Sequence, residues 1–196
     1  MEASDKLRKA FELFDLANEQ DPNKEIFEGK AYSKEVLYAK RMTEKLHEFA
    51  PNASEPLKLT ARCQHICRWE IPRESYEMNR VGYLKWRQDL KKFHAEKASG
   101  ILRKVGYDQK TIEKVAFLLE KKQLKKNEET QTLEDVICLV FLEFYFEPFI
   151  EKHSKEKLID IIQKTWRKMS EKGHQAALKL PFSKGSLDLI GKALKG

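Results

Sequence analysis

Glycine and proline are scarce in this chain, at 8 and 6 of 196 residues. They fall between periodic segments, as helix punctuation does. Cysteine is scarcer still. Three residues, an odd number, argue against a disulfide framework and suit a reducing compartment. The longest apolar run, Val136 to Leu142, is far too short to span a bilayer, so no membrane segment is expected. The opening stretch MEASDKLRKAFELFD has no apolar core of the kind an export signal needs, and a cytoplasmic location is the expectation. Phosphate-binding Gly-rich loops, the G-x-S-x-G elbow and H-E-x-x-H are all missing. P-loop hydrolysis, serine-esterase chemistry and zincin proteolysis therefore have no support. No internal repeat, low-complexity tract or strand pattern stands out.

What the chain does have is charge and helical periodicity. Charged residues make up 35% and hydrophobic ones 41%, which suits a folded helical protein better than a disordered one. The formal net charge of +7 favours anionic partners: a small molecule, a nucleotide, or RNA. The excess is spread out. Its densest cluster, Lys121, Lys122, Lys125 and Lys126, has the look of a solvated face or loop.

The periodicity predicts an all-α class, a single-domain helical bundle over residues 1–196. A first amphipathic helix carries Leu7, Phe11, Phe14 and Leu16, with Ser4 or Asp5 as its cap. Asn18 to Tyr32 reads as a loop. Ser33 is expected to cap a second helix, with Glu35 and Val36 in its first turn, that stops before Pro51. A third starts at Ser54 and runs to about Trp69, ended by Ile71-Pro72-Arg73. After a polar loop, Glu74 to Arg80, a long helix spans about Val81 to Val105, with Gly106 placed to end it. Asp108 caps the next. Thr132 to Glu151 is the most apolar segment and is expected to be a central, buried helix. Helices near Lys155–Met169 and Gly173–Leu180 and a short amphipathic tail, Ser186 to Leu194, complete the chain.

Several polar residues fall where apolar ones are expected. His94 lies four residues after Leu90 and four before Ala98, on the inward stripe of its helix. An inward imidazole needs a partner: a metal, a carboxylate or another hydrogen-bonding group. His65 sits in Cys63-Gln64-His65-Ile66-Cys67. That C-x-H-x-C spacing fails as a zinc site on a helix, because His65 points away from the face the two cysteines share. Glu143 and Glu147 lie one turn apart in the most apolar segment, where a carboxylate is costly without a cation or donor. Glu134 and Asp135 in the same segment also suit a helix N-terminus. Arg68-Trp69-Glu70-Ile71-Pro72-Arg73 and Tyr83-Leu84-Lys85-Trp86-Arg87 mix aromatic and basic residues. They can line a phosphate pocket or brace a loop through an Arg–Glu network.

The segments QHICRWEIPR, GYLKWRQDLKKFHAEKASGIL, QTLEDVICLVFLEFYF and LIDIIQKTWRKMSEKGHQAAL resemble a family described only as domain of unknown function 4202. The resemblance covers nearly the whole chain and implies little settled biochemistry. A more distant resemblance is to the HD-domain superfamily of all-helical, metal-dependent phosphohydrolases. Thr60 to Arg68 is similar to the helix that bears the His-Asp pair, with either Gln64 and His65 or His65 and Ile66 on the pair. Tyr38 falls near the early His and His94 near the mid-chain His. The late acid would be Glu134, Asp135 or Glu143. The early His is absent and the pair is not intact. The resemblance implies an HD-domain-like fold and a hydrolase acting on a phosphate ester or nucleotide. His65, His94, Asp135 and Glu143 would hold a divalent metal ion that activates water. Glu70 and Glu134 would be catalytic carboxylates. Arg68, Arg73, Trp86 and Arg87 would hold the substrate. A non-catalytic helical module that binds an anionic ligand is the alternative.

Overall fold

The computed structural model describes residues 3–195. The class is all-α: among these residues there are ten α-helices and one two-stranded sheet. Contacts cluster into two compact units, Met1–Lys122 and Gln123–Gly196. No helix among the described residues is long and apolar enough to cross a membrane.

The first unit opens with α1, Ala3–Asn18. The helix has already begun at Ser4 and Asp5, so neither precedes it as a cap. Its inward stripe is Leu7, Ala10, Phe14 and Ala17, whereas Leu16 is exposed. The stretch read as a loop contains a hairpin, β1 (Lys24–Phe27) with β2 (Lys30–Ser33), antiparallel, with Phe27 opposite Lys30. Its two-residue turn puts Glu28 at φ 49° and Gly29 at φ 74°. Left-handed backbone at both positions is what a tight hairpin turn demands, and glycine adopts it freely. The strands are short and their apolar residues sit side by side, Ile26 with Phe27 and Ala31 with Tyr32, so no alternation shows in the sequence. Arg41 ties the hairpin down, with an ion pair to Glu25 at 2.6 Å and its guanidinium 4.8 Å over the Phe27 ring.

Helix α2, Lys34–Phe49, follows Ser33, but that serine makes no capping bond. Its hydroxyl donates to Glu19 O and accepts from Lys24 Nζ. The buried Asp21 carboxylate accepts the Glu35 N–H instead. Helix α3, Glu55–Cys63, is capped by Ser54 as expected but stops well short of Trp69. Asn18, at the end of α1, accepts the Cys67 N–H at 2.9 Å, and Cys67 takes φ 52°. A left-handed residue cannot continue a right-handed helix. Gln64 to Glu70 therefore forms tight turns. Helices α4 (Arg80–Val105) and α5 (Gln109–Leu119) match expectation, with Asn79 and Asp108 as N-caps and Gly106 at φ 89° closing α4. Phe14, Leu59, Ile66, Ala98, Leu102, Val115 and Leu119 form the heart of this unit's core.

The second unit begins with α6, Glu128–Val140, capped by Asn127. The long apolar segment is not one helix. A π-helical turn, Phe141–Tyr145, joins α6 to α7, Phe146–Ile150. Pro148 explains it: proline has no N–H for the Phe144 carbonyl one turn back, and its ring crowds that carbonyl. Helices α8 (Lys155–Lys168), α9 (Glu171–Ala177) and α10 (Lys184–Lys195) follow. Leu133, Val136, Leu139, Leu142, Phe146, Leu158 and Ile162 are buried.

Candidate functional site

Three elements of the first unit bring titratable side chains together. Helix α2 presents Glu35 and, one turn on, Tyr38. The tight turns after α3 present His65 and Arg68. Helix α4 contributes His94 from its inward stripe. The His65 ring stacks on Tyr38, with centroids 4.1 Å apart and planes 10° from parallel. The His65 and His94 centroids are 5.9 Å apart. The early end of α3 explains the meeting: a helix continued to Trp69 would have carried His65 off to another face.

The protonation states follow from the partners. Arg68 Nη1 lies 3.0 Å from His65 Nε2, and arginine only donates. His65 Nε2 therefore accepts, and the ring proton is on Nδ1, facing Glu35 Oε2 at 3.4 Å. His94 Nδ1 donates to Ile66 O at 2.8 Å, which leaves the lone pair on Nε2. His94 Nε2 has no hydrogen-bond partner among the described residues. Burial, then the positive charges of Arg68, Lys121, Arg87 and Lys34, hold His65 well below the usual imidazole range. Burial, then the neighbouring His65, pulls His94 down to about 3. Both rings are neutral at physiological pH. Burial pushes Glu35 up to about 7, against the opposing pull of Arg68. Glu35 can thus hold or release a proton near neutrality. His94 is buried, but 22% of the His65 side chain reaches solvent, so the pair is not sealed.

The residues around this centre divide by what engages them. Arg68 lies 5.1 Å over the Trp86 ring. Trp86 is buried and donates Nε1–H to Ile71 O at 2.9 Å, so it serves as a bed for Arg68 and not as an open surface. Arg73 donates to the carbonyls of Tyr76, Glu77 and Asn79, bracing the loop before α4. Arg87 donates to the Tyr83 hydroxyl at 3.1 Å. Glu70 is engaged by Lys97. Glu134, Asp135 and Glu143 belong to the second unit. Lys168 Nζ lies 3.9 Å from Glu134. Asp135 accepts from the Ser170 backbone at 2.7 Å and from the Ser170 hydroxyl and Gln131, at the start of α9. Glu143 is half-buried in the π turn. Glu147 accepts from Ser183 N and the Ser186 hydroxyl at the start of α10.

The donor set does not fit a divalent metal centre. Among the described residues no three His, Cys, Asp or Glu side chains are grouped to hold an ion. The His65 lone pair is spent on a guanidinium. Cys63 and Cys67 are free and buried, and burial raises both thiols, Cys67 to about 11. Burial thus disfavours the thiolate form of both. Sequence reasoning passed over Glu35, reading it only as a first-turn acid. Its signal was spacing: Glu35, Tyr38, Ala39, Met42 and Leu46 share one helix face, and that face is buried.

A family model described as domain of unknown function (DUF4202) matches residues 8–190. No curated protein and no solved structure matches the chain significantly.

Proposed function

We propose that this chain, which belongs to the DUF4202 family, binds an anionic small molecule through a phosphate group, a phosphate ester or nucleotide, at the His65–Arg68 site. The observation that carries this reading is the excess of positive charge there. Among the described residues neither Arg68 nor Arg87 makes an ion pair, and Lys34 adds to the field at His65. Glu35 stands against His65 yet titrates near 7, so it cancels that charge only in part. A guanidinium fork with N–H groups to spare suits phosphate oxygens. The three cysteines, free and buried, suit a reducing compartment such as the cytoplasm. Calorimetric titration with orthophosphate and with nucleotides tests the reading. Binding to the wild type, weakened about tenfold in Arg87→Ala, is expected. Unchanged affinity in that variant would remove Arg87 from the site, and no binding to the wild type would sink the proposal.

A second reading, hydrolysis of the bound ester, is favoured by Glu35. A carboxyl group titrating near 7 beside an imidazole suits proton transfer to a leaving group. Turnover of a phosphodiester and nucleotide panel, lost in Glu35→Gln, would support it. Binding without turnover would leave the chain a binding module.

A further inference from the structure

Each imidazole of the pair is oriented as a metal ligand usually is. His94 donates Nδ1–H to the Ile66 carbonyl, and His65 turns Nδ1 toward the Glu35 carboxylate. Partners of this kind on the far nitrogen fix the tautomer and leave Nε2 to ligate. The 5.9 Å between centroids is a separation that two imidazoles can adopt around one ion with N–metal bonds of about 2.0–2.1 Å. At His65, however, the place is taken. Arg68 Nη1 is 3.0 Å from Nε2. A guanidinium does not deprotonate in a protein, so it cannot give up that position by losing its charge. It also repels any cation that approaches the second imidazole. Trp86, pinned through Nε1 to Ile71 O, has its ring 5.1 Å from the guanidinium carbon.

We propose that Arg68 stands where a divalent metal would bind, so that the site holds a phosphate through a fixed guanidinium and works without a metal ion. This rests on the phosphate-binding reading above. It deepens that reading by naming the cation and the ligand class, a phosphate monoester or orthophosphate bound as such and not as a metal complex. One N–H of the guanidinium is spent on His65, and the fork retains donors for two phosphate oxygens. The imidazole pair, which would otherwise attract a borderline-soft cation, is kept neutral and closed to it.

The test uses the full chain without a histidine tag, dialysed against EDTA. Orthophosphate is titrated calorimetrically in EDTA and again with Mg²⁺ or Mn²⁺, and Co²⁺ is titrated in parallel by visible absorption. The wild type should bind orthophosphate with the same affinity in both conditions and give no Co²⁺ bands. Arg68→Ala should lose phosphate affinity at least tenfold and gain Co²⁺ binding that disappears when His94→Ala is added. Arg68→Lys, which keeps a cation, should still exclude Co²⁺. Phosphate binding by the wild type that requires a divalent ion would overturn the proposal. So would Co²⁺ bound by the wild type and lost in His65→Ala. If Arg68→Ala does not fold, the wild-type arms alone decide. Failure of orthophosphate to bind in either condition would defeat the underlying reading instead, while the Co²⁺ arms would still judge what Arg68 excludes.

Discussion

Glu35 and the two histidines pull the stability of the first unit in opposite directions with pH. Glu35 titrates near 7 in the folded chain, above its ordinary carboxylate value. The folded state then binds more protons than the unfolded one between those values, so this contribution falls as pH rises through about 7. His94, at about 3, and His65, well below its usual range, behave the other way. The unfolded state binds their protons first, and stability is lost as pH falls below the imidazole range. The three effects partly cancel between the carboxylate and imidazole ranges. Above about pH 7 the two opposing effects are both nearly complete. Melting temperature should therefore rise from pH 5 to about pH 7 and then level off in the wild type. In Glu35→Gln the rise should be steeper. An unchanged profile in that variant would mean that Glu35 does not gain a proton on folding. The sequence exposed His94 through its place on an apolar stripe, and it singled out Arg68. It did not expose the His65–Arg68 contact, because that contact depends on a helix ending early, and the Asn18–Cys67 bond that helps end it joins residues far apart in the chain.

At the scale of elements, the loop before α4 is shaped by one close approach. A Cβ on Gly82 would sit 2.1 Å from the Glu77 carbonyl oxygen, a backbone atom that cannot swing aside. The same carbonyl accepts from Arg73, and Asn79 caps the Gly82 N–H at 2.8 Å. Gly82→Ala should push the Glu74–Asn79 segment off the helix and loosen the Arg73 braces beside Trp86. The expected cost is about 1–3 kcal/mol, the usual range for overpacking. Urea unfolding measures it, and a shift in tryptophan emission would report the disturbed Trp86 environment. A fully stable variant with unshifted emission would contradict this account of the loop. Element ends with local chemistry were legible in the sequence: Ser54, Asp108 and Gly106 act as their residue types suggest. Ends with distant causes were not. Ser33 precedes α2, but Asp21 reaches over to cap it. The hairpin escaped notice because its strands are short and charged. The break in the long apolar segment was signalled only by Pro148.

For the whole molecule, the excess of basic residues and the local cations at His65 are separable causes of anion binding. The net charge of +7 is spread over the chain and acts at long range through solvent, where salt screens it. Arg68 acts at contact distance from a half-buried position, where screening is weak. The spread charge should raise the rate at which a nucleotide arrives, and the contacts should set how long it stays. Stopped-flow binding of a fluorescent nucleotide between low and moderate NaCl should show the association rate falling severalfold with little change in dissociation. Arg87→Ala should do the reverse, raising the dissociation rate about tenfold with a small effect on association. If salt changed mainly the dissociation rate, binding would reside in exposed lysines such as Lys122 and Lys126. The imidazole pair beside Arg68 would then be a structural device and not the ligand's seat.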